Sequence, residues 1–206
     1  MTARPTKSPR RQPRQRRSEA MVDALLEATA RVLATRGLDG TNTNEIARVA
    51  GVSVGSLYQY FSGKQGLAAA LIERKAARDR DEIVAALRPH VDAPFAEVVR
   101  ALVRATLAVH RRDAALMRAL LSLVEPTGRA AKVREVAAQG RAEVFALLAA
   151  HLPSLRETDL DLASFVVGRA FEEVVHAVLL ERPALFDHPA LEAELTHLVV
   201  AYLRRP

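Results

Sequence analysis

The sequence predicts an all-α fold of about nine helices, an N-terminal three-helix head built on a helix-turn-helix followed by a larger helical body. Three observations carry this prediction. The apolar half of the chain is mainly Ala, Leu and Val, with few aromatics and no Trp, a composition that suits packed helices better than sheets. Apolar residues recur three and four positions apart along most of the chain after Ser18, the spacing of one helix face. The stretch Asn42 to Leu67, NTNEIARVAGVSVGSLYQYFSGKQGL, reads as helix, tight turn, helix, and the other elements are arranged before and after it.

In chain order, residues 1–17 hold three prolines and seven basic residues, Arg4, Lys7, Arg10, Arg11, Arg14, Arg16 and Arg17, with no acid. The segment is therefore +7 in a chain of net +6, which leaves the rest at −1. Such a composition buries too little apolar surface to fold by itself and predicts a disordered basic arm. The head, residues 18–66, opens with a long helix capped by Ser18. Its buried stripe is Val22, Leu25, Leu26, Thr29, Val32 and Leu33, and Gly37 ends it. This helix is expected to pack across the next two.

Asn42 and Glu45 have the spacing of a capping box, Ile46 and Val49 give the second helix an apolar face, and Ala50-Gly51 supplies the turn. Ser53 then caps a third helix, Val54 to Tyr60, which at about two turns is too short to be stable alone. Leu57 and Phe61, four apart, anchor it. Its remaining surface carries Ser56, Tyr58, Gln59 and Tyr60. Ser62-Gly63-Lys64-Gln65 is a further capping box. It places Lys64 in a first helical turn, where the macrodipole disfavours a cation and a bound phosphate would relieve the conflict.

The body, residues 67–206, begins within a fourth helix from Gly63 to about Leu87, roughly 36 Å long. Its stretch ERKAARDRDE, residues 73–82, reads as a solvated face laced with ion pairs on a stiff connector. Pro94 opens a fifth helix with Phe95, Val98, Val99, Leu102, Val103, Thr106, Leu107 and His110 on one face, and Asp113 can cap a sixth that carries Leu116, Met117, Leu120, Leu121 and Val124. Pro126-Thr127-Gly128 breaks the chain before a seventh helix with Val133, Val136, Val144, Leu147 and Leu148, stopping near Pro153. From Thr158 to Glu181 the apolar positions run round nearly the whole circumference, which requires burial on all sides. In a chain of this size one side then meets a second subunit. Pro189 opens the last helix. The two C-terminal helices are predicted to pair with their symmetry mates in a four-helix homodimer interface through Phe171, Val174, Val178, Leu195, Leu198 and Tyr202.

The string IARVAGVSVGSLYQYFSGKQGL resembles the N-terminal signature of the TetR family of bacterial transcriptional regulators: Ile-Ala, then Ala-Gly-Val-Ser, then Gly-x-Leu-Tyr-x-Tyr-Phe, with a Lys and a Leu opening the next helix. Asn42 stands where family members often have Thr, and capping is preserved. The resemblance implies an all-α regulator with a helix-turn-helix head and a ligand-binding and dimerisation body. It also implies that Thr43, Ser53, Ser56, Tyr58, Tyr60 and Lys64 hold phosphates of double-stranded DNA while Val54, Gly55 and Gln59 approach bases. Hydroxyls and helix N-termini position a backbone, Gly55 permits close approach, and a Gln can pair with adenine. Arg16 and Arg17 extend the interface if the arm neutralises phosphates or enters a minor groove. A merely solubilising tail is the other reading of the arm.

One head reads too few base pairs, so the expected partner is a palindromic operator bound by a homodimer. Repression released by a small-molecule effector is the leading expectation. An architectural or weakly specific DNA-binding protein and an activator are the alternatives.

Candidate pocket residues in the body are His110, Met117, Phe145, Phe165, Arg169, Glu172 and His176, the polar ones giving orientation within an apolar cavity. Ion pairing is the competing account of the polar members, since Arg169 and Glu173 are four apart and His176 lies three from Glu173. The effector is expected to be partly apolar. No catalytic residue, cofactor or metal is expected: Cys is absent, and neither an HExxH pattern nor a glycine-rich phosphate loop occurs. No run approaches the roughly 18 apolar residues of a membrane span, and the arginine-rich start lacks a signal peptide's apolar segment. The expected location is the cytoplasm, in association with the nucleoid.

Overall fold

The computed structural model describes residues 13–37, 39–124, 130–148, 151, 155 and 159–204. Among them are nine α-helices: α1 (Pro13–Arg36), α2 (Thr43–Ala50), α3 (Val54–Tyr60), α4 (Lys64–Leu87), α5 (Phe95–Arg112), α6 (Ala114–Val124), α7 (Ala130–Leu147), α8 (Leu160–Glu181) and α9 (Leu191–Leu203). The chain is all-α, as expected. It divides into two compact units, Met1–Ala68 and Ala69–Pro206.

In the first unit α1 begins six residues earlier than a Ser18 cap would place it. Pro13 is its first residue, where a preset φ and a missing N–H cost nothing. Arg and Gln, good helix formers, let an already nucleated helix extend into the basic segment. Residues 13–17 are thus helical rather than part of a disordered arm, and residues 1–12 lie outside the described residues. Leu25, Leu26, Ala28, Thr29, Val32 and Leu33 are buried, and Thr29 satisfies its hydroxyl on the Leu25 carbonyl at 2.7 Å. Gly37, at φ 64°, closes the helix with its N–H on Leu33. The expectation that α1 crosses both following helices is met mainly on one side, because it packs chiefly on α2, and α2 packs on α3. Ile46, Leu57 and Leu67 are fully buried.

In the second unit α5 lies along α9, and α8 packs on α9 and on the 3-10 turn Pro183–Asp187. One apolar core joins Val99, Val103 and Leu107 of α5 to Ala163, Val167, Phe171, Val175 and Leu179 of α8 and to Leu195, Val199 and Leu203 of α9. Arg104 clasps Glu192 with two hydrogen bonds, 2.8 and 3.2 Å, tying α5 to α9 at the surface. The backbone of Asp113 does cap α6, its carbonyl accepting from Met117 at 2.8 Å, but its carboxylate is engaged by Lys75 and Arg78 of α4. Asp159, immediately before α8, caps that helix by accepting from Asp161 and Leu162. The chain break at Pro126-Thr127-Gly128, the stop at Pro153 and the start at Thr158 lie outside the described residues.

Two expectations about α4 need correction. The helix starts at Lys64, with the Gly63 carbonyl accepting from Leu67 at 3.1 Å, so Gly63 and not Ser62 holds the capping position. The charged stretch 73–82 is also not wholly solvated. Lys75 is buried, at 5% exposure, and the Asp79 side chain is 13% exposed. Residues 72, 75, 76, 79 and 83 follow helical spacing on one side of α4, so the inward stripe that begins with apolar residues continues through two charged ones.

Candidate nucleic-acid interface and body cavity

The helix-turn-helix is held by local bonds that its sequence dictates. Asn42 accepts the Glu45 backbone N–H at 2.9 Å. The reciprocal half of the expected capping box gives way to a stronger choice, because the Glu45 carboxylate pairs with Arg48 through two 2.8 Å bonds and with Arg36 at 3.0 Å. The Arg48 hydrogen bonds hold the Glu45 carboxyl below its ordinary range. This link between the end of α1 and α2 was not foreseen, although an acid three residues before Arg48 is a readable signal. Gly51 turns the chain at φ 71°, a left-handed conformation in which a side chain would be strained. Its N–H bonds to the Arg48 carbonyl at 3.2 Å, and the Val52 N–H bonds to that of Ala47 at 3.0 Å, which satisfies the last carbonyls of α2. Ser53 caps α3 by accepting from the Ser56 N–H at 3.0 Å, with the two hydroxyls 2.8 Å apart.

Only Leu57 of α3 is buried. Phe61, half-buried, follows the helix as its C-terminal cap. Ser53, Gly55, Tyr58, Gln59 and Tyr60 are exposed, while Thr43, Val54, Ser56 and Lys64 are half-buried. Large aromatic rings at the surface are unusual in a water-facing helix, and here Tyr58 is 54% and Tyr60 38% exposed. The Tyr58 hydroxyl lies 3.2 Å from the Thr43 hydroxyl, so the second and third helices present joined polar groups. The Lys64 ammonium reaches the Thr41 carbonyl at 3.4 Å. Arg17 is exposed, and the side chain of Arg16 lies outside the described residues.

In the second unit a cavity of about 320 Å³ is lined by residues of α4, α5, α6, α7, α8 and α9. Six of the expected pocket residues line it: His110, Met117, Phe145, Arg169, Glu172 and His176. Phe165 does not. It is 56% exposed, because its position on α8 faces away from the buried line of Ala163, Val167 and Phe171. Lys75, Asp79 and Arg141 also line the cavity and were missed as pocket groups. The periodicity of α4 was the available signal for the first two.

Arg141 reaches from α7 to Glu172 on α8 at 3.1 Å, crossing above Gly168, where an added Cβ would lie 2.5 Å from its Cδ. The ring centroids of His110 and His176 are 5.8 Å apart. Burial pushes both imidazoles below their ordinary range, with the Thr106 carbonyl opposing the shift at His110 and Glu173 opposing it at His176.

A pH dependence follows from these two shifts. The unfolded chain takes up protons near 6.5, the folded one only at lower pH, so stability is full above that value and declines as pH falls below it. Melting temperature measured from about pH 7.5 to 5 should drop by several degrees. The slope should flatten when His110→Leu and His176→Leu are combined. The carboxylates held low by arginines, Glu45, Glu82 and Glu192, lose their contribution only below their ordinary 4.5 and do not enter this window.

The expected interface residues fall into two sets. Phe171, Val178 and Leu195 are buried in the core of their own chain, and Tyr202 packs against that core. A helix that is apolar all round must give one side to its own domain, and these residues occupy that side. Val174 and Leu198 remain exposed, joined by Leu162, Phe165, Val166 and Leu180. Most of this outward apolar set lies along α8.

Comparison with known proteins decides the lineage. Residues 25–71 match the family model described as bacterial regulatory proteins, tetR family, and residues 94–203, just over half of the chain, match the C-terminal domain of tetracyclin repressor-like proteins. The chain belongs to the TetR family. Among its relatives, an uncharacterized HTH-type transcriptional regulator of Mycobacterium tuberculosis is 33% identical over 135 residues, which cover 66% of this chain and 62% of that one. The match thus spans under two thirds of that relative's length.

A TetR-family transcriptional regulator from Mesorhizobium loti has the same fold, with a TM-score of 0.69 at 20% identity over 90% of this chain and 96% of that one. The multidrug binding protein EbrR, whose structure was solved with imidazole, gives 0.66 at 22% identity over 90% and 96%. No helix among the described residues of this TetR protein is long and apolar enough to cross a membrane.

Proposed function

We propose that the protein is a dimeric, sequence-specific repressor that binds a palindromic DNA operator in the cytoplasm, in association with the nucleoid, and is released by a small molecule held in the body cavity. The observation that carries this reading is α3. A two-turn helix anchored by a single fully buried leucine leaves Tyr58, Gln59 and Tyr60 at the surface beside the hydroxyls of Ser53 and Thr43. Such a surface has little structural purpose in the chain alone, and its hydroxyls and amide match phosphate and base edges in a major groove. In this reading Thr43, Ser53, Ser56, Tyr58, Tyr60 and Lys64 hold phosphates, Val54, Gly55 and Gln59 approach bases, and Arg16, Arg17 and the basic residues before them add sequence-independent affinity.

A second copy covers the exposed apolar residues of α8 and α9 and doubles the site read. Effector in the cavity favours a dimer whose heads are wrongly spaced for successive grooves, acting only through its difference in affinity between the two states. Operator must then weaken effector binding by the same factor.

The test is to recover bound fragments from sheared genomic DNA at physiological salt and sequence them. A few sites sharing one palindrome support the proposal, and recovery without a shared motif would place the basic segment in charge and favour an architectural protein. Gln59→Ala should then cost about 1–3 kcal/mol at one position of each half-site and relax the preference there. Deleting residues 1–12 should weaken binding to all sequences and reduce the salt slope by about 0.9 for each phosphate that is no longer neutralised.

A further inference from the structure

Arginines in this protein meet carboxylates in two ways. Arg48 on Glu45 and Arg104 on Glu192 use the edge formed by Nε and Nη2, each nitrogen donating to a different oxygen at 2.8 to 3.2 Å. This is the fork that matches a carboxylate. Arg141 of α7 does otherwise. Its Nη1 alone spans both oxygens of Glu172 on α8, at 3.1 and 3.3 Å, and its Nε and Nη2 make no hydrogen bond or ion pair among the described residues. The guanidinium lies end-on against Glu172 with its fork open.

That edge stands at the cavity wall. Arg141 and Gly168 both line the cavity, and the arginine stem crosses Gly168 so closely that an added Cβ there would lie 2.5 Å from Cδ and 3.6 Å from Nε. The Arg141 side chain is only 19% exposed, so water and salt screen it less than a surface arginine. The other cations of the wall are committed. Lys75 sits between Asp79 and Asp113 at 2.6 and 3.1 Å. Arg80 gives Nε and Nη2 to Asp81 at 3.2 and 3.0 Å, and Arg169 has Nη1 on Glu172 at 3.3 Å and Nη2 toward Glu173 at 4.0 Å. Because Arg169 also holds Glu172, Arg141 can fork a second carboxylate without leaving the first unpaired. Taking a carboxylate out of water is costly, and only a partner with matching hydrogen bonds offsets the cost. Arg141 supplies that partner in a wall built largely of Ile, Leu, Val and Phe.

We propose that the cavity takes a mainly apolar molecule ending in a carboxylate, whose two oxygens are received by the open Nε–H and Nη2–H edge of Arg141. This rests on the reading of the cavity as the effector site.

The test is titration calorimetry of the full-length protein with 4-phenylbutyrate, 4-phenylbutyramide and 4-phenylbutylamine, which share one apolar body and differ in the head. The carboxylate should bind at least ~10-fold more tightly than the amide, the scale of one hydrogen bond to a charged group, and the amine should be weakest. Arg141→Gln should remove the preference for the carboxylate and leave the amide's affinity unchanged. Arg141→Lys, which keeps the charge and loses the fork, should recover only part of that preference. Leu121→Trp, which fills the cavity, should abolish binding of all three.

Equal binding of carboxylate and amide, tightest binding of the amine, or a preference that is undiminished in Arg141→Gln or Arg141→Lys overturns recognition by the fork while leaving the cavity as a binding site. Carboxylate binding that survives Leu121→Trp, or no binding of any of the three, overturns the effector-site reading and the proposal with it.

Discussion

Phe165→Asp combined with Leu180→Asp is expected to yield a folded monomer. Both side chains are more than half exposed in the single chain, at 56% and 51%, so neither supports the core and helical content by circular dichroism should be unchanged. In the proposed two-fold dimer each would stand at an isologous interface, and four aspartates would enter an apolar contact without partners. Burying unpaired like charges costs several kcal/mol, enough to raise the dimer dissociation constant by roughly 10³-fold or more. Sedimentation velocity at micromolar concentration should show monomer only, and operator affinity should fall with it, because one head reads half a site. A stable dimer in this variant would move the interface away from the outward face of α8. Val178→Asp offers the contrast: Val178 is 6% exposed in the core, so the same charge there should unfold the body rather than separate subunits.

Lys75→Met should have the largest effect on stability of any charge removal. Lys75 is buried between two carboxylates, Asp79 and Asp113, and without it Asp79 keeps only longer contacts with arginines. Removing one partner of a buried ion pair costs about 3–5 kcal/mol, which for a chain of this size lowers the melting temperature by about 10 °C. Adding Asp79→Leu to the same chain should recover much of the loss, since replacing a buried pair by apolar groups is often neutral. Thermal unfolding of the single and double variants measures both. A Lys75→Met protein that melts with the wild type would show that the ammonium does not hold the two carboxylates.

The head was almost fully legible because its signals are local. A cap at Ser53, a left-handed glycine at Gly51 and an anchor at Leu57 act within a few residues of themselves, so the bounds of α3 could be read directly. The start of α1 was less legible. Pro13 can equally end a disordered arm or open a helix, and the choice depends on whether a helix is already nucleated downstream. Composition picks out six of the residues that line the cavity, as polar or bulky groups within apolar helices, but reads Lys75 and Asp79 as surface charges. Their burial depends on Asp113, 38 residues from Lys75 in sequence, and such a partner leaves no trace in the pattern of α4 itself.

The sequence by itself determined the helices, the turn between α2 and α3 and the identity of the polar surface on α3, because capping, glycine conformation and helical periodicity act over one or two turns. It also required that α8 be covered on all sides. Which apolar residues face inward, and which acids and bases meet across the cavity, was decided by the tertiary structure. A helix apolar round its whole circumference carries no periodic signal to orient it, so Phe165 and Phe171 look alike until α5 and α9 pack against one side. In the same way a charge on a helix reads as solvated until a distant element brings the opposite charge and removes the water.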